Sequence, residues 1–208
     1  MSAGKAAEEY RKYYADINFE RAGLFELIKR EYGCATALYP GCSIHITPSF
    51  YFQHVVYIDL SEKAKEFFSQ TASIRELVEG NKVYRQQPFI QFLNSDYTKE
   101  LPLREGSYDL LISLYAPEIT ENCKKYVRKG GLILTNNHLR DAAGAAGDPG
   151  IELLALISKK GKKYESRKPA EGDFKAASGH ETLTGNVRKT NTGIEYCDTE
   201  LYYLLRKL

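Results

Sequence analysis

The segment 108–137 constrains the fold more than any other part of the chain. Leu110, Leu111, Ile112 and Leu114 form a near-continuous apolar run, the pattern of a strand buried on both faces. Pro117 suits the first position of a helix, where its missing N–H costs nothing. Arg128 and Lys129 suit the negative end of that helix, and Gly130-Gly131 offers a left-handed stop. Leu132, Ile133 and Leu134 then read as a second buried strand. Strand, helix and strand with short connections make one βαβ unit of a parallel sheet.

The succession Tyr108-Asp109-Leu110, a helix, a basic residue and Gly130-Gly131-Leu132-Ile133-Leu134 resembles strands four and five of the class I S-adenosylmethionine-dependent methyltransferases. Lys129 stands where that family usually has proline. The resemblance covers roughly residues 34–158 and the tail. It implies an α/β fold, a three-layer Rossmann-like sandwich with a mostly parallel seven-stranded sheet and an antiparallel last strand. Tyr39-Pro40-Gly41 with Thr47-Pro48-Ser49-Phe50 is similar to an uncharacterised branch of the family with an altered glycine loop.

The rest of the chain is read around that unit, as a single domain over 1–208. Residues 4–32 predict helix in two pieces, with Leu24, Leu27, Ile28 and Glu31 at helical spacing and Gly33 as the stop. This 1–33 segment either packs on the sheet edge, the plainer reading, or caps a ligand pocket. An α/β core follows over 34–158. Its first strand is 34–39, and Val55–Asp59 is a β-branched strand ending in an acid. Ser61 caps a helix through Ser69, and Ser73-Ile74-Arg75-Glu76 reads as a capping box for a second helix ending at Gly80-Asn81. Phe89–Leu93 is the third strand. Residues 141–147 read as a loop, and Asp148-Pro149 opens a helix through Ile157. The 159–208 segment holds a basic turn at Lys159–Lys163, a polar insertion and a last strand at Leu201–Leu205.

The formal net charge of +2, from 29 basic and 27 acidic side chains, creates no field that calls for nucleic acid. The basic turn at Lys159–Lys163 therefore reads as a solvated loop. No run is long enough to span a bilayer, and the N-terminus has no apolar core of a signal peptide. Cys34, Cys42, Cys123 and Cys197 are scattered without a C-x-x-C pair, which predicts reduced thiols, a cytoplasmic location and no metal site.

The chemistry falls in the loops that follow the strands. Asp59 follows Gly41 at close to the spacing of about 20 residues at which an acid in nucleotide-binding α/β folds meets ribose hydroxyls. The competing role is a helix N-terminal acid favoured by the dipole. Asp96 either accepts from an adenine amino group or makes an Asx turn. His45, four residues past Gly41, is either a pocket residue or a core histidine. The resemblance implies S-adenosylmethionine held by Tyr39, Pro40, Gly41, Ser43, Asp59, Leu60, Asp96, Tyr97 and Ser113. Only one glycine, Gly41, remains of the family's alternating glycines. His138, Tyr115 and Asp141 are the candidates for a base, should the acceptor need one.

Three functional classes follow. The first is an S-adenosylmethionine-dependent methyltransferase, with a small molecule favoured as acceptor and a homo-oligomer compatible with it. The second is a non-catalytic nucleotide- or protein-binding module that retains the fold. The third, a nicotinamide-dependent oxidoreductase, is disfavoured because G-x-G-x-x-G is absent.

Overall fold

The computed structural model describes residues 4–136, 141–145, 147–160, 163–170, 173, 187–190, 193–196 and 201–208. The parallel strands form where the apolar runs predict them. They are β1 (Thr36–Pro40), β2 (His54–Ile58), β3 (Phe89–Leu93), β4 (Tyr108–Ser113) and β5 (Val127–Thr135). β6 (Ile151–Lys160), β7 (Lys163–Arg167) and β10 (Leu201–Lys207) complete an eight-stranded sheet in the order β3-β2-β1-β4-β5-β10-β6-β7. β10 runs antiparallel to both β5 and β6, and β7 antiparallel to β6. β8 (Val187–Thr190) and β9 (Gly193–Tyr196) pair as a separate hairpin.

The sheet has eight strands rather than seven: 151–160 is strand β6 and not a helix, and β7 adds a further strand at its edge. A β-bulge explains the misreading. The ladder with β10 passes from Leu204↔Ala155 to Leu205↔Leu153, leaving Leu154 as the extra residue. Ala155 and Ile157 therefore enter one core layer while Ile151 enters the other. A bulge breaks period-two alternation, and the remaining apolar run has no periodicity that separates strand from buried helix.

The helices are α1 (Lys5–Tyr10), α2 (Ala22–Tyr32), α3 (Pro48–Tyr51), α4 (Glu62–Ser69), α5 (Thr71–Asn81), α6 (Ile119–Cys123) and α7 (Asp141–Ala145). A π-helical turn over Arg11–Ala15 follows α1. Gly33 caps α2 at φ +69° as expected, and the Ser61 hydroxyl caps α4 by accepting the Ala64 N–H. Four local expectations fail. Ser73 lies inside α5, which begins at Thr71, so it caps nothing. The predicted 141–147 loop holds α7. The helix after β4 starts at Ile119, beyond Pro117, and gives way to a 3₁₀ turn at Lys124–Tyr126. Gly130 and Gly131 are therefore not its stop. They lie inside β5, where the ladder shifts from Tyr108↔Val127 to Leu110↔Leu132. Gly130 sits there at φ +72°, and a Cβ on Gly131 would come within 2.6 Å of Val127.

Asp109 ties β1 to β4 at the end of the sheet opposite the loops of interest. Its Oδ2 accepts the Ala35 and Thr36 N–H groups at 2.9 Å, and its Oδ1 accepts Arg128 Nε at 2.7 Å. Among the described residues no helix is long and apolar enough to cross a membrane.

Candidate functional site

The order β3-β2-β1-β4-β5 reverses its direction of growth between β1 and β4. In open α/β sheets that switch point, beyond the carboxyl ends of the strands, is where ligands bind. The loops that meet there are 41–47, 59–61, 94–97 and 114–118.

β2 holds the loop that leaves β1. Asp59 Oδ2 accepts the Ser43 N–H at 2.8 Å, and Oδ1 accepts the Ser61 N–H at 2.8 Å. The Gly41 N–H donates to the Ile58 carbonyl at 2.8 Å. Tyr57, fully buried, donates to the Ile46 carbonyl and accepts the Ser49 N–H, both at 3.1 Å. The loop needs this support because Gly41 and Ser43 both lie in the left-handed region, at φ +64° and +49°. Each Asp59 oxygen carries one N–H and keeps a second acceptor direction.

Gly41 has a second reason to lack a side chain. A Cβ there would fall 2.6 Å from the Ala116 Cβ, so the β1 and β4 loops meet at van der Waals contact. Close approach at Gly41 is thus toward the protein's own backbone loop.

Asp96 makes the Asx turn. Its Oδ1 accepts the Thr98 N–H at 3.0 Å and the Thr98 hydroxyl at 2.7 Å, which, with Lys99 nearby, holds its carboxyl below the usual range. Asn94 donates to the Asp59 carbonyl at 2.9 Å, and the Tyr97 hydroxyl donates to the Pro117 carbonyl at 2.9 Å. These two bonds join the β3 loop to its neighbours. Leu60, beside Asp59, is 61% exposed.

His45 is a core histidine. Its Nε2 lies 3.0 Å from the Glu20 carbonyl, which only accepts, so Nε2 carries the proton and Nδ1 accepts from the Tyr39 hydroxyl at 3.0 Å. Burial first, and then the nearby Arg21 cation, push its pKa down to about 3. Tyr39 and Pro40 are buried beneath the loop.

Of the base candidates, Asp141 is buried and accepts from the Ser113 hydroxyl at 2.7 Å, from the Thr120 N–H at 2.9 Å and from the Thr120 hydroxyl. It fastens α7 to β4 and α6, and Ser113 is engaged in the same tie. Tyr115 sits at φ +61° at the switch point, and its hydroxyl accepts Arg21 Nη2 at 2.6 Å. His138 lies outside the described residues.

The segment between α1 and α2 packs over the residues that follow β1 and β4. Tyr14 stacks on His45 at 4.6 Å, and Phe19 lies 5.9 Å from Tyr115. Arg21, at φ +54°, donates to the Tyr202 hydroxyl at 2.7 Å and places its guanidinium 3.7 Å over the Phe19 ring. The sequence reading missed Tyr14, Phe19 and Arg21. The tyrosine-rich stretch Tyr10–Tyr14 was the available signal, since exposed helices seldom carry so many rings.

No family model matches the chain, and no curated protein matches it in sequence. The fold does match solved structures. An S-adenosylmethionine-dependent methyltransferase from Thermotoga maritima superposes with a TM-score of 0.53 at 10% identity, over 97% of this chain and 95% of the other. A methyltransferase from Geobacter sulfurreducens gives 0.53 at 10% identity, over 100% and 92%. At such identities the likeness is one of fold.

Proposed function

We propose that the chain is an S-adenosylmethionine-dependent methyltransferase acting on a small-molecule acceptor. The observation that carries this reading is Asp59, an acid at the carboxyl end of β2 that holds the β1 loop through one oxygen and its own loop through the other, each oxygen keeping a second acceptor direction. In this reading those directions receive the ribose hydroxyls, which a carboxylate alone among side chains accepts in a bidentate manner without donating. Leu60 supplies an apolar surface for the adenine, and the β3 loop, with Asp96 and Tyr97, borders it. Tyr39, Pro40, Gly41 and Ser43 shape the loop for the cofactor's methionine end, and Ser113 anchors the floor beneath it.

When bound, the cofactor supplies an electrophilic methyl group. The chain's own contribution is then to position the acceptor and exclude water. Tyr14, Phe19 and Tyr115 build the apolar wall that excludes it. Where the acceptor must lose a proton, Tyr115 is the candidate base, because it sits at the switch point and Arg21 fixes its hydroxyl there.

A second reading keeps its own observation. Gly41 is packed against Ala116, and the Arg21 and Phe19 side chains pack on Tyr115 in the loop that follows β4, which suits a binding module that never turns over. Titration calorimetry with S-adenosylhomocysteine, with NAD alongside, tests both. Micromolar binding of the former supports the first reading, and binding of neither supports the second.

A further inference from the structure

Away from the switch point, a groove of about 750 Å³ runs along β3, the edge strand of the sheet, between α4 and α5. Its size lies within the range of about 300–1,000 Å³ typical of small-molecule sites. The helix breaks at Gln70 (φ −81°, ψ +53°), and α5 then leans on the N-terminus so closely that a Cβ on Gly4 would meet the Ser73 hydroxyl at 2.2 Å.

The floor is apolar. Phe92 stacks on Phe68 at 4.6 Å with the rings 5° from parallel, and Ile90 and Ile74 extend it. The lining runs from Pro88 to Asn94, roughly 20 Å at about 3.3 Å per strand residue. Lys65 on α4 and Arg75 on α5 are its charged residues, and the lining holds no carboxylate. Lys65 has only an exposed partner, Glu62 at 3.3 Å, a pairing of little worth in water. Arg75 is exposed and has no hydrogen bond or ion pair to another described residue.

We propose that this groove binds a linear amphipathic carboxylate, a soluble fatty-acid-like anion whose chain lies on Phe92, Ile90 and Phe68 and whose carboxylate is met by Arg75 and Lys65. An elongated apolar floor along the strand fits an extended chain better than a compact ring system. Cations on both walls, with no acid among the lining residues, select the charge of the head. The proposal does not depend on the methyltransferase reading.

The test uses dodecanoate below its micellar concentration, with dodecyltrimethylammonium as the same tail carrying the opposite charge. Calorimetry should show saturable binding of the anion and none of the cation. Amide shift changes in the full-length protein should centre on Arg75, Ile90, Phe92 and Asn94. The Lys65→Gln/Arg75→Gln double variant changes only exposed side chains and should raise Kd at least tenfold. Ala72→Trp should block the groove and abolish binding while both cations remain. The proposal is overturned by absence of dodecanoate binding, by equal binding of the two amphiphiles, by an unchanged Kd in the double variant, or by shift changes elsewhere. Co-sedimentation with anionic vesicles without binding of the free acid would overturn it as well.

Discussion

Asp59 Oδ2 accepts the Ser43 N–H at 2.8 Å, so the residue that ends β2 holds in place a left-handed residue of the loop that leaves β1. One carboxylate thereby serves architecture and, in the proposed function, recognition. Asp59→Asn separates the two. An amide oxygen still accepts one N–H, but its NH₂ faces the other donor. We expect a loss of about 1–3 kcal/mol in stability together with weaker S-adenosylhomocysteine binding, read by urea unfolding and calorimetry. Undiminished affinity in this variant would remove Asp59 from the cofactor site.

Gly41 faces two separate constraints, φ +64° and the Ala116 Cβ at 2.6 Å from any side chain. Gly41→Ala should destabilise by more than the roughly 1–2 kcal/mol of a left-handed residue alone. Gly41→Asn should recover little, because the contact remains. Adding Ala116→Gly to Gly41→Ala should recover the steric part. A double-mutant cycle with no coupling between the two sites would show that the contact does not matter.

Arg21 joins the N-terminal segment to Tyr115 and to Tyr202 at bonds of 2.6 and 2.7 Å. Arg21→Met should cost at least about 2 kcal/mol, since hydrogen bonds to a charged group are worth about 1.5–3 kcal/mol, and should speed proteolysis of the first 20 or so residues. Tyr115→Phe removes one of these acceptors from a buried cation and should cost about 1.5–3 kcal/mol without unfolding the chain. If Tyr115 takes the acceptor's proton, that variant loses methyl transfer without losing cofactor affinity.

Stability should fall as pH falls, first through His45 and then through Asp109. His45 is held neutral with a pKa of about 3, whereas in the unfolded chain the ring takes up a proton near about 6.5. The unfolded state therefore binds more protons between these values, and stability is lost as pH falls through that range. Burial raises the Asp109 pKa, but Arg128 and the Ala35 and Thr36 N–H groups outweigh it and hold the carboxyl low. Its contribution is present above the unfolded value of about 3.9 and is lost as pH falls below it. His45→Gln should flatten unfolding free energy between pH 7 and 5, and Asp109→Asn only below about pH 4.

The chain by itself determined the parallel half of the sheet. The runs at Val55–Ile58 and Leu110–Ile112 are apolar because both faces of those strands are covered, and such runs are legible without knowing what covers them. The proposal for Asp59 also began from the chain, in its spacing from Gly41, while its bonds to Ser43 and Ser61 belong to the tertiary structure. What only the tertiary structure decided are the contacts between distant segments. Arg21 meets Tyr115 and Tyr202 across sequence separations of 94 and 181 residues, and no local pattern reports such a pair. The strand at Ile151–Lys160 was settled by its ladder to β10, because the bulge at Leu154 removed the alternation that would have announced it. Gly41 shows both sources at once. Its left-handed turn belongs to a loop the sequence marks, while the Ala116 methyl that closes on it depends on how β1 and β4 come to lie side by side.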